Sequence, residues 1–68
     1  MDLDELRVKH CETRDAALDL AARVAERVLH GPFDPAEVLF TSALAASLTD
    51  LLTNERRLRR AIKAEVAG

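Results

Sequence analysis

A chain of 68 residues forms one small domain at most, and its net charge of −2 argues against a uniformly basic or acidic binding surface. Its single cysteine excludes an internal disulfide framework and fits a reducing compartment. Hydrophobic residues make up 49% of the chain, aromatic residues only 3% and charged residues 32%, a balance that favours helices over sheets.

The first predicted helix covers about residues 3–30. Acidic residues open it, where negative charge suits the positive end of the helix dipole. Side chains spaced alternately three and four residues apart form a heptad-like seam: Leu3, Leu6, His10, Thr13, Ala17, Leu20 and Val24. A second apolar row flanks it: Cys11, Leu18, Ala25 and Leu29. The two rows cover about half of the helix circumference, which is wider than one partner helix needs, so we predict a second neighbour.

The stretch 30–37 ends one helix and begins another. Gly31 can take the left-handed conformation that ends a helix, and Pro32 cannot continue one. Asp34 is placed as the N-cap of the next helix, Pro35 as its first residue and Glu37 as the other half of a capping box. We therefore predict a turn over residues 31–34.

The second predicted helix covers about residues 35–66. A hydrophobic staple between Phe33 and Val38 fits its start. Its seam repeats the spacing of the first helix: Phe40, Leu44, Leu48, Leu51, Glu55, Leu58 and Ile62. Neither glycine nor proline interrupts residues 36–67, and Leu52 and Val66 widen the apolar stripe. Two helices of matched length around one turn predict an all-α, two-helix antiparallel hairpin.

Folding about this turn brings together residues whose numbers add to about 65. Glu55 is then opposite His10, with Thr13 nearby, inside a seam that is otherwise leucine-rich. A carboxylate there is costly unless it is paired, so we predict a His10–Glu55 hydrogen bond. Three interpretations remain open: a structural pair that fixes register and oligomeric state, a layer partly exposed at the open end, or a metal site formed by two copies of His10 and Glu55, with Cys11 or Glu12 within a turn.

A basic cluster occupies the C-terminal half of the second helix: Arg56, Arg57, Arg59, Arg60 and Lys63. One interpretation is contact with the phosphate backbone of RNA or DNA. The other is neutralisation by the acidic residues that the fold brings back to this end, Asp2, Asp4 and Glu5, in the same hairpin or in a second subunit.

The layout of two matched helices around the Gly31 corner resembles two groups of proteins. Small antiparallel hairpin dimers such as the plasmid-copy-number protein Rop share it, and this resemblance implies binding of nucleic acid through a helix face. The layout also resembles the small co-chaperones of type III secretion needle subunits, which implies docking on a larger helical-repeat partner.

No nucleophile–base arrangement, phosphate loop or zinc-ligand spacing occurs, so we expect a non-enzymatic protein without a cofactor. We predict an interaction module, either an accessory subunit, an adaptor or a co-chaperone. It would homodimerise into a four-helix bundle or dock on a larger helical protein. Its contact face would comprise Leu18, Ala25, Leu29 and Leu52. Nucleic-acid binding and metal binding are the alternatives.

We expect the protein to be soluble and cytoplasmic, without a membrane partner. The acidic N-terminal residues do not fit a signal peptide, and the uncharged run 38–49 is too short to span a bilayer.

Overall fold

The computed structural model describes residues 2–31 and 34–68, which form two α-helices, α1 (Leu3–Leu29) and α2 (Pro35–Ala67). Contacts at two levels show that they run antiparallel. His10 meets Glu55 towards the open end, and Arg27 meets Phe40 near the corner. The predicted all-α helical hairpin is therefore confirmed. It measures 51 × 14 × 14 Å, and its radius of gyration of 15.4 Å exceeds the roughly 11 Å of a compact chain of this length.

An aspartate begins each helix. The Asp34 side chain accepts a hydrogen bond of 2.8 Å from the Glu37 backbone N–H, and this confirms the predicted N-cap. Asp2 caps α1 in the same way, accepting from the Glu5 backbone N–H at 2.8 Å. Sequence reasoning placed Asp2 among the acidic residues of the first turn and missed this cap, although the same Asp-x-x-Glu spacing marks both. Each such cap contributes about 1 kcal/mol.

The other helix ends lie within one residue of their predicted positions. The His30 backbone N–H donates to the Glu26 carbonyl at 3.1 Å and closes the last turn of α1. The Gly68 backbone N–H donates to the Ala64 carbonyl at 2.9 Å and closes α2. The predicted roles of Pro32 and Phe33, including the staple with Val38, fall outside the described residues.

The core is one seam between the two helices. Every member of the predicted α1 seam is partly or fully buried, with Leu6 at 6% and Ala17 at 4% exposure the most enclosed. The corresponding stripe on α2 is Thr41, Leu44, Leu48, Leu51, Glu55, Leu58 and Ile62. Leu6 and Ala17 are the only buried apolar residues in the described parts of the chain, so the hairpin encloses little by itself.

The prediction that Phe40 belongs to the seam is wrong. Phe40 is 51% exposed, and the smaller Thr41 occupies the seam position beside it. Three residues before Leu44 is Thr41, and four residues before it is Phe40; a heptad stripe can take either step. Here the step of three residues keeps the stripe facing α1. The Phe40 ring instead lies under the Arg27 guanidinium, 4.2 Å from its centroid, in a cation–π contact.

The buried hydroxyl of Thr41 should destabilise the folded chain. Its Oγ1 is buried and has no hydrogen-bond partner among the described residues. Because an unsatisfied buried hydroxyl costs about 1–3 kcal/mol, the equally large Thr41→Val should raise the free energy of unfolding by about 1 kcal/mol. Urea denaturation measures this change.

Thr49→Val is the matched control. The Thr49 hydroxyl is exposed and donates to the Ala45 carbonyl at 3.0 Å, so removing it relieves no unsatisfied group. An unchanged or lower stability of Thr41→Val would contradict the prediction.

Candidate functional site: a polar layer beside an apolar groove

A buried carboxylate lies in the seam, with partners from both helices. His10 Nε2 on α1 is 2.9 Å from Glu55 Oε1 on α2, and Glu55 is only 6% exposed. The residue numbers add to 65, so the predicted pairing is confirmed. Because an ionised carboxylate can only accept, His10 Nε2 must be the donor.

Arg59 completes this layer, which we call the polar layer: His10, Glu55 and Arg59. The Arg59 Nε donates to Glu55 Oε1 at 3.1 Å, and its Nη2 donates to the same oxygen. Glu and Arg four residues apart on one helix are well placed for such a pair. Sequence reasoning grouped Arg59 with the basic cluster, although its spacing from Glu55 was the signal for this contact.

These donors set the charge state of Glu55. The hydrogen bond from Arg59, followed by that from His10, lowers the pKa of Glu55 below its ordinary value of 4.5, against the opposing effect of burial. At neutral pH the residue is therefore ionised, and its negative charge is compensated inside the seam rather than by solvent.

Beside the polar layer, side chains of both helices line an open groove of about 230 Å³, the leucine groove. Its lining is Arg14, Ala17, Leu18 and Ala21 from α1, and Leu48, Leu52, Glu55 and Arg59 from α2. Leu18 is 63% exposed and Leu52 is 42% exposed, although both are large and apolar. The groove thus combines apolar side chains with two arginines.

The structure brings together two of the four residues predicted for a contact face. Leu18 and Leu52 meet in the leucine groove. Ala25 and Leu29 lie nearer the corner and do not line it, and Leu29 is 81% exposed. An isolated hairpin thus leaves all four side chains exposed to solvent.

The basic cluster divides into two parts. All five side chains are exposed, but Arg59 is paired with Glu55, which leaves Arg56, Arg57, Arg60 and Lys63 as the second part. In the described parts of the chain, none of these four forms an ion pair with the acidic residues near the N-terminus. Direct ion pairs within the hairpin therefore do not neutralise the cluster among the described residues, and neutralisation by a second subunit stays a prediction.

The described residues of one hairpin do not assemble a metal site. The described residues contain no group of three or more His, Cys, Asp or Glu side chains that could hold a metal ion. His10 Nε2 already donates to Glu55, and the Arg59 guanidinium on the same oxygen opposes a second cation. Cys11 and Glu12 are exposed on α1.

By length and composition, α2 also meets the criterion for a membrane-crossing helix, with a mean hydropathy of 1.2 over 18 residues and none of that window buried in the hairpin. Core helices of soluble proteins pass the same test, so this feature is weak evidence about location.

No protein-family model, curated protein or solved structure matches this chain. The geometry of the polar layer and the leucine groove therefore carries the functional inference.

The lowered pKa of Glu55 predicts a specific pH dependence of stability. Because the pKa is lower in the folded chain than its ordinary value of 4.5, ionisation of Glu55 favours the folded state above pH 4.5. That contribution is lost as the pH falls through the folded pKa. Wild type should therefore melt at a higher temperature than Glu55→Gln at pH 7, and the difference should shrink below pH 4.5.

Melting followed by circular dichroism across this range measures the difference. Glu12→Gln removes an exposed carboxylate and is the control, with a pH profile parallel to that of wild type. A Glu55→Gln profile that also stays parallel to wild type would show that the polar layer does not carry this dependence.

Proposed function

We propose that this chain is a non-enzymatic helical-hairpin module for protein–protein interaction, an accessory subunit, adaptor or co-chaperone of the cytoplasm. The observation that carries the proposal is the leucine groove, where Leu18 and Leu52 are exposed near the middle of both helices. Large apolar side chains grouped on one side of a small protein mark a surface that another protein covers. The partner is a helical surface, either a second copy or a larger protein.

The total surface of the chain supports the same proposal. Its accessible area is 5161 Å², whereas a compact monomer of this 7.5 kDa mass exposes about 4,200 Å². The excess of roughly 900 Å² is close to the roughly 800 Å² that each partner buries in a standard interface. A hairpin this small gains the missing apolar burial from a partner.

The polar layer fits an interaction module better than a catalytic site. His10 and Arg59 both donate hydrogen bonds to the same oxygen, Glu55 Oε1, so the three side chains satisfy one another. A buried charged group in a helical seam disfavours shifted registers, because each shift leaves that charge without its partners. The layer therefore holds the two helices in the one register that forms the leucine groove.

Site-specific photocross-linking in the producing cell tests this function. We expect p-benzoylphenylalanine in place of Leu52 to give one or a few discrete cross-linked proteins, whether the chain itself or another protein. The same probe in place of Leu39, which is 73% exposed and lies outside the groove, should not give them. Equal cross-linking from both positions, or none from Leu52, would contradict the proposal.

A second candidate function is binding of nucleic acid, which the exposed Arg56, Arg57, Arg60 and Lys63 favour. They form no ion pairs among the described residues, so their charge is available to phosphates. Arg59 is exposed too, but its guanidinium already donates to Glu55, so less of its charge is available to a phosphate.

Fluorescence anisotropy with labelled duplex DNA and single-stranded RNA tests this candidate. If phosphate contacts form, affinity should fall at least tenfold between about 50 and about 200 mM salt, and Arg60→Glu with Lys63→Glu should abolish binding. Arg23→Glu removes an arginine that is paired with Asp19 on α1, at 3.2 Å, and is the control. Absence of binding at about 50 mM salt would exclude the candidate.

A further inference from the structure

The leucine groove belongs to a continuous face of the hairpin. Residues seven apart lie along nearly one line of a helix surface. The line through the groove on α1 carries Arg7, Arg14, Ala21 and Val28, and the line on α2 carries Val38, Ala45, Leu52 and Arg59. This face is therefore apolar towards the corner and basic towards the open end.

We propose that a second copy of this chain covers the leucine groove, with the two hairpins antiparallel across a two-fold axis near their middle. This inference rests on the proposed function and identifies the partner. The dimer is a four-helix bundle in which each copy contributes the same face.

The positions of the two exposed leucines favour this arrangement. Leu18 lies two residues from the middle of α1 towards the corner, and Leu52 lies one residue from the middle of α2 towards the open end. A two-fold axis across the middle exchanges the corner side with the open side. This axis places α1 of one copy against α1 of the other, and α2 against α2. Leu18 of one copy and Leu52 of the other then lie at the same level, diagonally across the interior of the bundle, and this occurs twice.

Charge favours the antiparallel orientation over the parallel one. The open end of each copy carries Arg59 on the groove face and Arg56, Arg60 and Lys63 beside it. A parallel pair would bring two such ends together, and like charges at close range disfavour association. In the antiparallel pair, equivalent residues of the two basic ends are about 15 to 36 Å apart, at 1.5 Å per helical residue.

The size of the face also matches a second copy. A face 51 Å long and 14 Å wide covers roughly 700 Å², close to the roughly 800 Å² that each partner of a standard interface buries. To cover it, a partner must itself be about this long and carry an apolar stripe along its middle. A second copy of the hairpin has that length and that stripe.

The same geometry keeps the two polar layers apart. His10 and Glu55 lie towards the open end of each copy, so the two layers are about 15 Å apart in the antiparallel dimer at 1.5 Å per helical residue. They do not converge on a shared metal ion. Each layer sets the register of its own hairpin.

Sedimentation equilibrium of the purified full chain, from about 10 to about 200 µM, tests the association. Wild type should have twice the 7.5 kDa chain mass at the upper concentrations. Leu18→Asp and Leu52→Asp should each lower the measured mass by a factor of about two, whereas Leu39→Asp, outside the groove, should leave it unchanged. A wild-type monomer throughout, or a dimer that survives both groove substitutions, would overturn the proposal.

Disulfide trapping tests the orientation and does not depend on the aspartate variants folding. In a Cys11→Ser background, equal amounts of Arg7→Cys and Val28→Cys chains are mixed and mildly oxidised. The antiparallel dimer brings position 7 of one copy near position 28 of the other on the facing α1 helices and keeps each symmetric pair at least about 27 Å apart, at 1.5 Å per helical residue, so the mixed disulfide should predominate. Predominance of the symmetric disulfides would contradict the orientation.

The proposed function and the second-copy inference can fail separately. A monomeric purified chain whose position 52 cross-links to a different protein in cells would overturn the second copy and leave the interaction module standing. A monomeric chain without cross-links from that position would overturn both.

Discussion

The hairpin depends on a charge buried between its two helices. Glu55 accepts hydrogen bonds from His10 across the seam and from Arg59 one turn along its own helix. Leucine contacts are similar at every layer of the seam, so they would still form if one helix slid along the other by one heptad. The buried carboxylate would lose its partners in such a shift. A shifted register would leave the Glu55 charge buried without its histidine, so the polar layer selects one alignment of α1 against α2.

The alignment of α1 against α2 also determines which side chains lie together on the outer surface. With His10 opposite Glu55, Leu18 and Leu52 border the same groove and lie on either side of the hairpin's middle. The enclosed core is thin, since only Leu6 and Ala17 are buried apolar residues in the described chain. Much of the apolar surface that could stabilise the fold is therefore available only to a partner.

Local and repeating signals made much of this predictable from the sequence. The Asp34 cap depends on three neighbouring residues, and the α1 seam on a regular spacing, so both follow without tertiary information. Two unpaired polar residues at seam positions were enough to match His10 with Glu55 once the turn was located. What remained unpredictable depends on side-chain choice within one turn. Phe40 and Thr41 fit the spacing equally well, and Arg59 could belong to the basic cluster or to Glu55.

The most direct test of this account is the intrachain contact between His10 and Glu55. Isotope-filtered NMR selects contacts within one chain. It should show nuclear Overhauser effects between the His10 ring protons and the Glu55 side-chain protons. At the next layer of the seam, it should show them between Leu6 and Arg59. Contacts of the His10 ring with Leu51 or Leu58 in place of Glu55 would mean a different register. They would contradict the claim that the polar layer sets the fold.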